Sequence, residues 1–299
     1  MTPYIGELAG ILTSLMYTIN AMVITRAGHQ VGSVISNRTR VLFALVYLLL
    51  INLVLFGQPL PFGADMSRWS WLALSGVIGL ALGDAFLFQS YLLIGPRVGM
   101  LLLSLSTVFG IIEAWLFFGE TLTLVQIVGI SLALGGIVWV ILERGSGPET
   151  PHPHAARGVM FGILAAVGQA TGYVFSKQGM AGDFSPFQGN VIRMLAAALA
   201  LWLMAAFQKE IGSTIQTLRK NPSALRLLAL AALIGPVLGV TASLLAVQHA
   251  EVGVASVLTS LSPIFILPIS HFVFKERLGW QAIAGTLLAM AGVFILFLV

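Results

Sequence analysis

Residues Val98 to Ile141 read VGMLLLSLSTVFGIIEAWLFFGETLTLVQIVGISLALGGIVWVI, and their reading decides the fold. Two apolar runs flank a short polar break at Gly119, Glu120 and Thr121. The same pattern returns near the C-terminus. Ser104, Leu105 and Ser106 recur as Ser260, Leu261 and Ser262, and Phe109, Phe118, Glu120, Leu122, Gly129 and Gly136 recur as Phe265, Phe274, Glu276, Leu278, Gly285 and Gly292, all 156 residues on. One matched pair in so apolar a chain carries no information. A run of identities in fixed register that includes serines and a glutamate marks an internal repeat. The offset is about half of the 299 residues, so the chain reads as a duplicated domain.

Composition gives the solvent of that domain. Hydrophobic residues make up 58% and charged residues 9%, with a mean hydropathy of +0.98. Soluble domains carry about 25% charged residues, so a polytopic membrane protein is expected. The net charge of +4 comes from Lys and Arg placed mostly between apolar runs. It therefore reads as topology signal and lipid-headgroup contact, not as a nucleic-acid face. There is no cysteine, which excludes thiol chemistry and cysteine metal sites. The first apolar run lacks a basic lead-in and a convincing cleavage site, so it is expected to stay as the first span.

A membrane-crossing helix needs about 20 largely apolar residues. Ten stretches qualify: Tyr4 to Ile24, Ser36 to Phe56, Trp69 to Leu93, Val98 to Phe118, Leu124 to Leu142, Gly158 to Ser176, Phe187 to Phe207, Leu225 to Gln248, Gly253 to Phe274 and Trp280 to Leu298. None alternates as a barrel strand does. The expected fold class is thus an all-α membrane protein with ten transmembrane helices. The polar, Pro-rich segment 145–157, GSGPETPHPHAAR, separates a first unit over 1–144 from a second over 158–299. Its His152 and His154 are spaced as solvated loop residues rather than as a metal pair, and no metal is expected.

The remaining spans repeat as well. Gly6, Tyr17, Gly79 and Gly83 match Gly162, Tyr173, Gly235 and Gly239 at the offset of 156, and NRTR at Asn37 to Arg40 matches NVIR at Asn190 to Arg193 at 153. Five spans per unit is an odd number, so the second unit enters the membrane from the opposite side. Inverted repeats of this kind build many secondary transporters, with the binding site near the midplane at the repeat interface.

With these residues in view, the chain resembles the drug/metabolite transporter superfamily in its ten-helix EamA-type branch. The resemblance covers the whole length. It rests on SLSTVFGIIEAWLFFGETLTLVQIVGISLALGGI and its copy SLSPIFILPISHFVFKERLGWQAIAGTLLAMAGV, with Arg40 and Arg193 where the family pattern has an arginine at the start of the second and seventh spans. The chain departs from the pattern at Thr107, where the copy has the more usual Pro263, and a stiffer fourth helix is expected there. The resemblance implies a secondary transporter of small metabolites, often an exporter, needing neither ATP nor a cofactor.

Ionisable groups inside spans are costly and mark candidate sites. Asp84, central in the third span, can hold a substrate ammonium or take up a proton; the plainer reading is a carboxylate bonded to a neighbouring Ser or Tyr. Glu113, mid-way along the fourth span, has the same two functional roles, against a structural pairing with Arg40 or another helix. Its counterpart is Ile269. His271 lies two positions on. Arg40 and Arg193 suit carboxylate or phosphate, against snorkelling to the interface or structural pairing. Gln89, Gln169, Asn20, Tyr17 and Tyr173 are further candidates for lining a cavity, while Glu120 and Glu276 read as helix caps. Gly129, Gly135, Gly136, Gly285 and Gly292 read as packing residues or a homodimer seam.

No HExxH, Walker or GxSxG pattern is present, so an enzyme is not expected. The competing classes are a lipid-handling membrane protein and a non-transporting scaffold. With ten spans, 3 Lys and Arg fall on the side of the termini and 12 on the other, which places both termini outside the cytoplasm. The family is usually drawn with both inside. The expected location is the inner cell membrane, with a small-molecule substrate and a proton or counter-substrate as partners.

Overall fold

Long apolar runs can satisfy their backbone polar groups in a bilayer only as helices or closed barrels, and this chain takes the helical solution. The computed structural model describes residues 5–118, 123–144, 154–181, 184–249, 258, 261–273 and 279–295. Among them there is no strand. The helices are α1 (Ile5–Val31), α2 (Ser33–Phe56), α3 (Met66–Ser75), α4 (Asp84–Leu103), α5 (Leu105–Phe118), α6 (Leu124–Arg144) and α7 (Ala155–Gly179). They continue as α8 (Pro186–Phe207), α9 (Ile211–Lys220), α10 (Pro222–Ala232), α11 (Val240–His249), α12 (Ser262–Val273) and α13 (Trp280–Ile295). Among the described residues, seven runs are long and apolar enough to cross a membrane, and α13 is a shorter apolar helix. The breaks holding Glu120 and Glu276 lie outside the described residues, as does most of the expected start of the ninth span.

The helix boundaries follow from local chemistry. Gly95 has φ 77° and ψ 158°, a left-handed φ open to glycine and an extended ψ imposed by Pro96, and it divides α4 where the third and fourth spans were expected to part. Gly57 closes α2 at φ 71°, its N–H donating to Leu53 O at 3.0 Å. Pro186 and Pro222 stand in the first turns of α8 and α10. The stiffening expected at Thr107 does not remove a break. Just before it, Ser104 turns the chain, its N–H shared between the carbonyls of Met100 and Leu101, both at 3.2 Å.

Two features went unseen in the sequence. The first is α9, a polar helix on α8 and α10, anchored by the fully buried Arg38. Arg38 donates from Nη1 to Thr214 Oγ1 at 2.7 Å and from Nη2 to Glu210 Oε2 at 3.1 Å. The second is a pair of π-helical segments, Gly76–Gly83 between α3 and α4 and Leu233–Gly239 between α10 and α11. They fall at matching positions of the two halves.

Packing exchanges the first helix of each half. Helix α7 lies against α3, the first π segment, α4 and α5, whereas α1 lies against α10, the second π segment, α11 and α12. The α1–α12 seam is stitched by hydroxyls: Ser262 Oγ donates to Ser14 O at 3.1 Å, and Thr18 Oγ1 to Ser262 O at 3.3 Å. Helices α6 and α13 pair through backbone contact. A Cβ on Gly136 would sit 2.4 Å from Ala289 N, and one on Gly292 2.3 Å from Ala133 N. Gly136, Gly285 and Gly292 are thus taken up by the chain's own helices, as small-residue faces commonly are in bilayers, whereas a Cβ on Gly135 would meet nothing within 4 Å.

Candidate functional site

A π-helical turn pairs i to i+5 and leaves helix carbonyls without their usual donors. In a membrane these must be satisfied from within the protein. Asn37 on α2 does this for the first segment, its Nδ2 donating to Leu80 O at 3.2 Å and Ala81 O at 3.0 Å. Asn190 on α8 does it for the second, donating to Pro236 O at 3.0 Å. The first asparagine of NRTR and NVIR therefore holds each π segment, and the arginine three residues on is carried to the same level of the bundle.

Arg40 and Asp84 form a buried ion pair through Arg40 Nη2 and Asp84 Oδ2, with side-chain exposures of 4% and 9%. The guanidinium also donates to Asn37 Oδ1 at 3.2 Å and lies 4.9 Å over the Phe88 ring. The other carboxylate oxygen, Asp84 Oδ1, accepts from Gln169 Nε2 at 2.8 Å. Gln169 reaches it because α7 crosses the first π segment with almost nothing between the backbones. A Cβ on Gly172 would lie 3.0 Å from Gly79 Cα, and one on Gly168 3.1 Å from Gly83 Cα. Ser75 Oγ donates to Gly172 O at 2.6 Å in the same crossing.

Across the interface, Arg193 is also buried, with 7% exposure, and lies in electrostatic range of Tyr17, Tyr173 and Asp84. Tyr17 packs on the second π segment, where a Cβ on Gly239 would come 2.8 Å from its Cε1. Asn20, one turn on, covers Gly235 with its Oδ1 buried and unpartnered. Tyr173 is 54% exposed.

The structure therefore brings together Asp84, Arg40, Arg193, Tyr17, Tyr173 and Gln169. Asp84 is bonded to arginine and glutamine instead of a Ser or Tyr, so its charge is already committed. Neither arginine snorkels, because both sit inside the bundle at the crossing of α2 or α8 with the π segments. Glu113 pairs with another helix and not with Arg40, its Oε1 accepting from Thr171 Oγ1 on α7 at 2.8 Å. Gln89 accepts instead from Ser33 Oγ, tying the third span to the start of α2. His271 is exposed, its ring edge-on to Phe272 at 5.2 Å between centroids. Among the described residues there is no group of three or more metal-ligating side chains. Arg38 and the two asparagines were passed over as parts of a motif. The signal for them was a polar residue set one to three positions inside an apolar run.

The model of the EamA-like transporter family matches the chain twice, over residues 4–142 and 156–298. The chain belongs to the EamA-like transporter family. It is a multi-pass membrane transporter rather than a member of an enzyme family. It is similar to an uncharacterized transporter of Haemophilus influenzae, 28% identical over 245 residues that cover 81% of this chain and 76% of that one. An uncharacterized transporter of Clostridium kluyveri is 27% identical over 142 residues, 47% of this chain and 44% of the relative, so that match spans less than half of that relative's length. A probable 4-amino-4-deoxy-L-arabinose-phosphoundecaprenol flippase subunit ArnE of Pseudomonas fluorescens is 42% identical over 59 residues, 20% of this chain and 52% of that one. A solved crystal structure shares the fold over 97% of this chain and 95% of its own, with a TM-score of 0.60 at 15% identity.

Proposed function

We propose that this EamA-family transporter is a secondary active carrier of small metabolites such as amino acids, amines or related compounds, working as an exporter by alternating access between two inverted five-helix repeats. The observation that carries the reading is the ionic and aromatic cluster of Arg40, Asp84, Gln169, Arg193, Tyr17 and Tyr173, formed where helices of both halves cross. Charged groups at that depth are costly and are kept where they serve a substrate or ion path. The exchange of α1 and α7 gives each half a lever in the other, and the two π segments lie at those crossings. A proton or counter-substrate gradient sets the direction.

The charge bias used for orientation survives burial. Arg38, Arg40 and Arg193 are inside the protein, and without them 2 Lys and Arg remain against 10. The richer side is placed in the cytoplasm by the positive-inside rule, which terminal reporter fusions read from each side will test. A second reading, movement of a lipid-linked cargo, is favoured by the short similarity to the probable flippase subunit. Purified protein in proteoliposomes, assayed with amino acids, amines and cationic drugs with and without a pH gradient, tests the main reading. Flux of one class above protein-free vesicles is the expected result; no flux of any class refutes it.

A further inference from the structure

The two repeat-related arginines meet different surroundings. Arg40 spends its charge on Asp84, and Asp84 spends its second oxygen on Gln169. The position that corresponds to Asp84 in the second half, 156 residues on, is Val240, which brings no charge. Arg193 is 93% buried by the measure that leaves it 7% exposed, its Nε has no hydrogen-bond partner, and no described carboxylate lies within ion-pairing distance of it. One aspartate between two guanidiniums leaves the cluster with one positive charge in excess. Its other neighbours, Tyr17 and Tyr173, are phenols that are neutral at physiological pH. An uncompensated buried cation is unfavourable, and a guanidinium fork with phenolic donors beside it matches an oxyanion.

We infer that Arg193, with Tyr17 and Tyr173, is an oxyanion-binding subsite, and that the cargo places one net negative charge there, as a carboxylate or a phosphate. The inference rests on the transporter reading for the word cargo, but the subsite is testable without it. It narrows the proposed substrates to those bearing an acid. A simple amine adds a second cation beside Arg193 and finds Asp84 already paired. A soluble acid and a phospholipid headgroup offer the same chemistry, so the test separates them.

The full chain in neutral detergent is followed by thermal unfolding with a matched set of probes: 4-methylpentanoate, leucine, isoamylamine and inorganic phosphate. It is followed in parallel in nanodiscs of phosphatidylcholine with and without phosphatidylglycerol. Wild type, Arg193→Gln, Arg193→Lys and Arg193→Met are compared, and each variant's unfolding without probe reports that it is folded. The expected result is stabilisation by the carboxylate or phosphate but not by the amine, at least about tenfold weaker in Arg193→Gln and partly kept in Arg193→Lys. Stabilisation by phosphatidylglycerol alone, lost in Arg193→Gln, upholds the subsite and assigns it to a lipid headgroup. Stabilisation by isoamylamine equal to that by the acid, acid binding unchanged in Arg193→Gln, or no oxyanion effect that depends on Arg193 overturns the inference. Flux assays keep the two readings apart. Amine flux untouched by Arg193→Gln defeats the subsite and leaves transport standing, whereas Arg193-dependent acid binding without flux of any class defeats transport and leaves the subsite.

Discussion

Arg40 and Arg193 occupy the same position in the two halves, close to the same kind of π segment, and differ in one thing: only the first has a carboxylate. The first half is electrostatically closed, with Arg40, Asn37, Asp84 and Gln169 bonded in one chain. The second half is open, with Arg193 facing phenols and Val240 standing where an acid would close it. The lesson is that a duplicated fold can keep its scaffold groups in both copies and still make one copy the rigid frame and the other the receptive surface. Shared residues such as Asn37 and Asn190 hold backbone. Unshared ones, Asp84 against Val240 and Glu113 against Ile269, set the chemistry.

Breaking the closed half has the largest expected effect. Arg40→Met leaves Asp84 buried without its counter-ion and is expected to cost about 3–5 kcal/mol, read as a lowered unfolding midpoint in detergent. The asparagines come next. Asn37→Leu strands the carbonyls of Leu80 and Ala81, and Asn190→Leu only that of Pro236, so losses of about 1–3 kcal/mol are expected, with the first variant the worse of the two. Arg193→Met is expected to run the other way, raising ligand-free stability by about 1 kcal/mol, because it removes a charge that nothing neutralises. Equal losses in Arg40→Met and Arg193→Met would erase the contrast between the halves. Glu113→Gln keeps an oxygen for Thr171 and is expected to change stability by less than about 0.5 kcal/mol. A large loss there would move Glu113 into the site.

Much of this was legible in the text. Run length and composition dictate helices, and Gly95 with Pro96 marks the break between the third and fourth spans. The internal repeat picks out the paired asparagines and arginines, at an offset of 153 instead of 156, and intramembrane polarity singles out Asp84. What was not legible is which charge meets which. Arg40 and Asp84 are 44 residues apart, and their meeting depends on the rotation of two helices about their axes, which periodicity cannot fix in runs that are apolar on every face. The exchange of α1 and α7 was hidden for the same reason. Gln169 joins the site only because Gly168 and Gly172 let α7 lie on the backbone of the opposite half. The π segments left a trace in the glycines of GVIGLALG and in Gly235, Pro236 and Gly239, but glycine in a membrane helix has several uses and does not by itself announce a change of pitch.

That change of pitch separates two quantities that a straight helix keeps locked together, length and azimuth. One residue removed from an α-helix shortens it by about 1.5 Å and turns everything beyond by about 100°. A one-residue deletion within Gly76–Gly83 would restore ordinary pairing along the third span with little change in the heading of Met66–Ser75 relative to Asp84, because the π turns already absorb one extra residue. Leu72, whose side chain would lie 2.5 Å from a Cβ on Gly179, and Ser75, bonded to Gly172, would keep facing α7. The π segment thus takes up one extra residue between the end of the span and its centre while leaving the heading of each as an unbroken α-helix would set it.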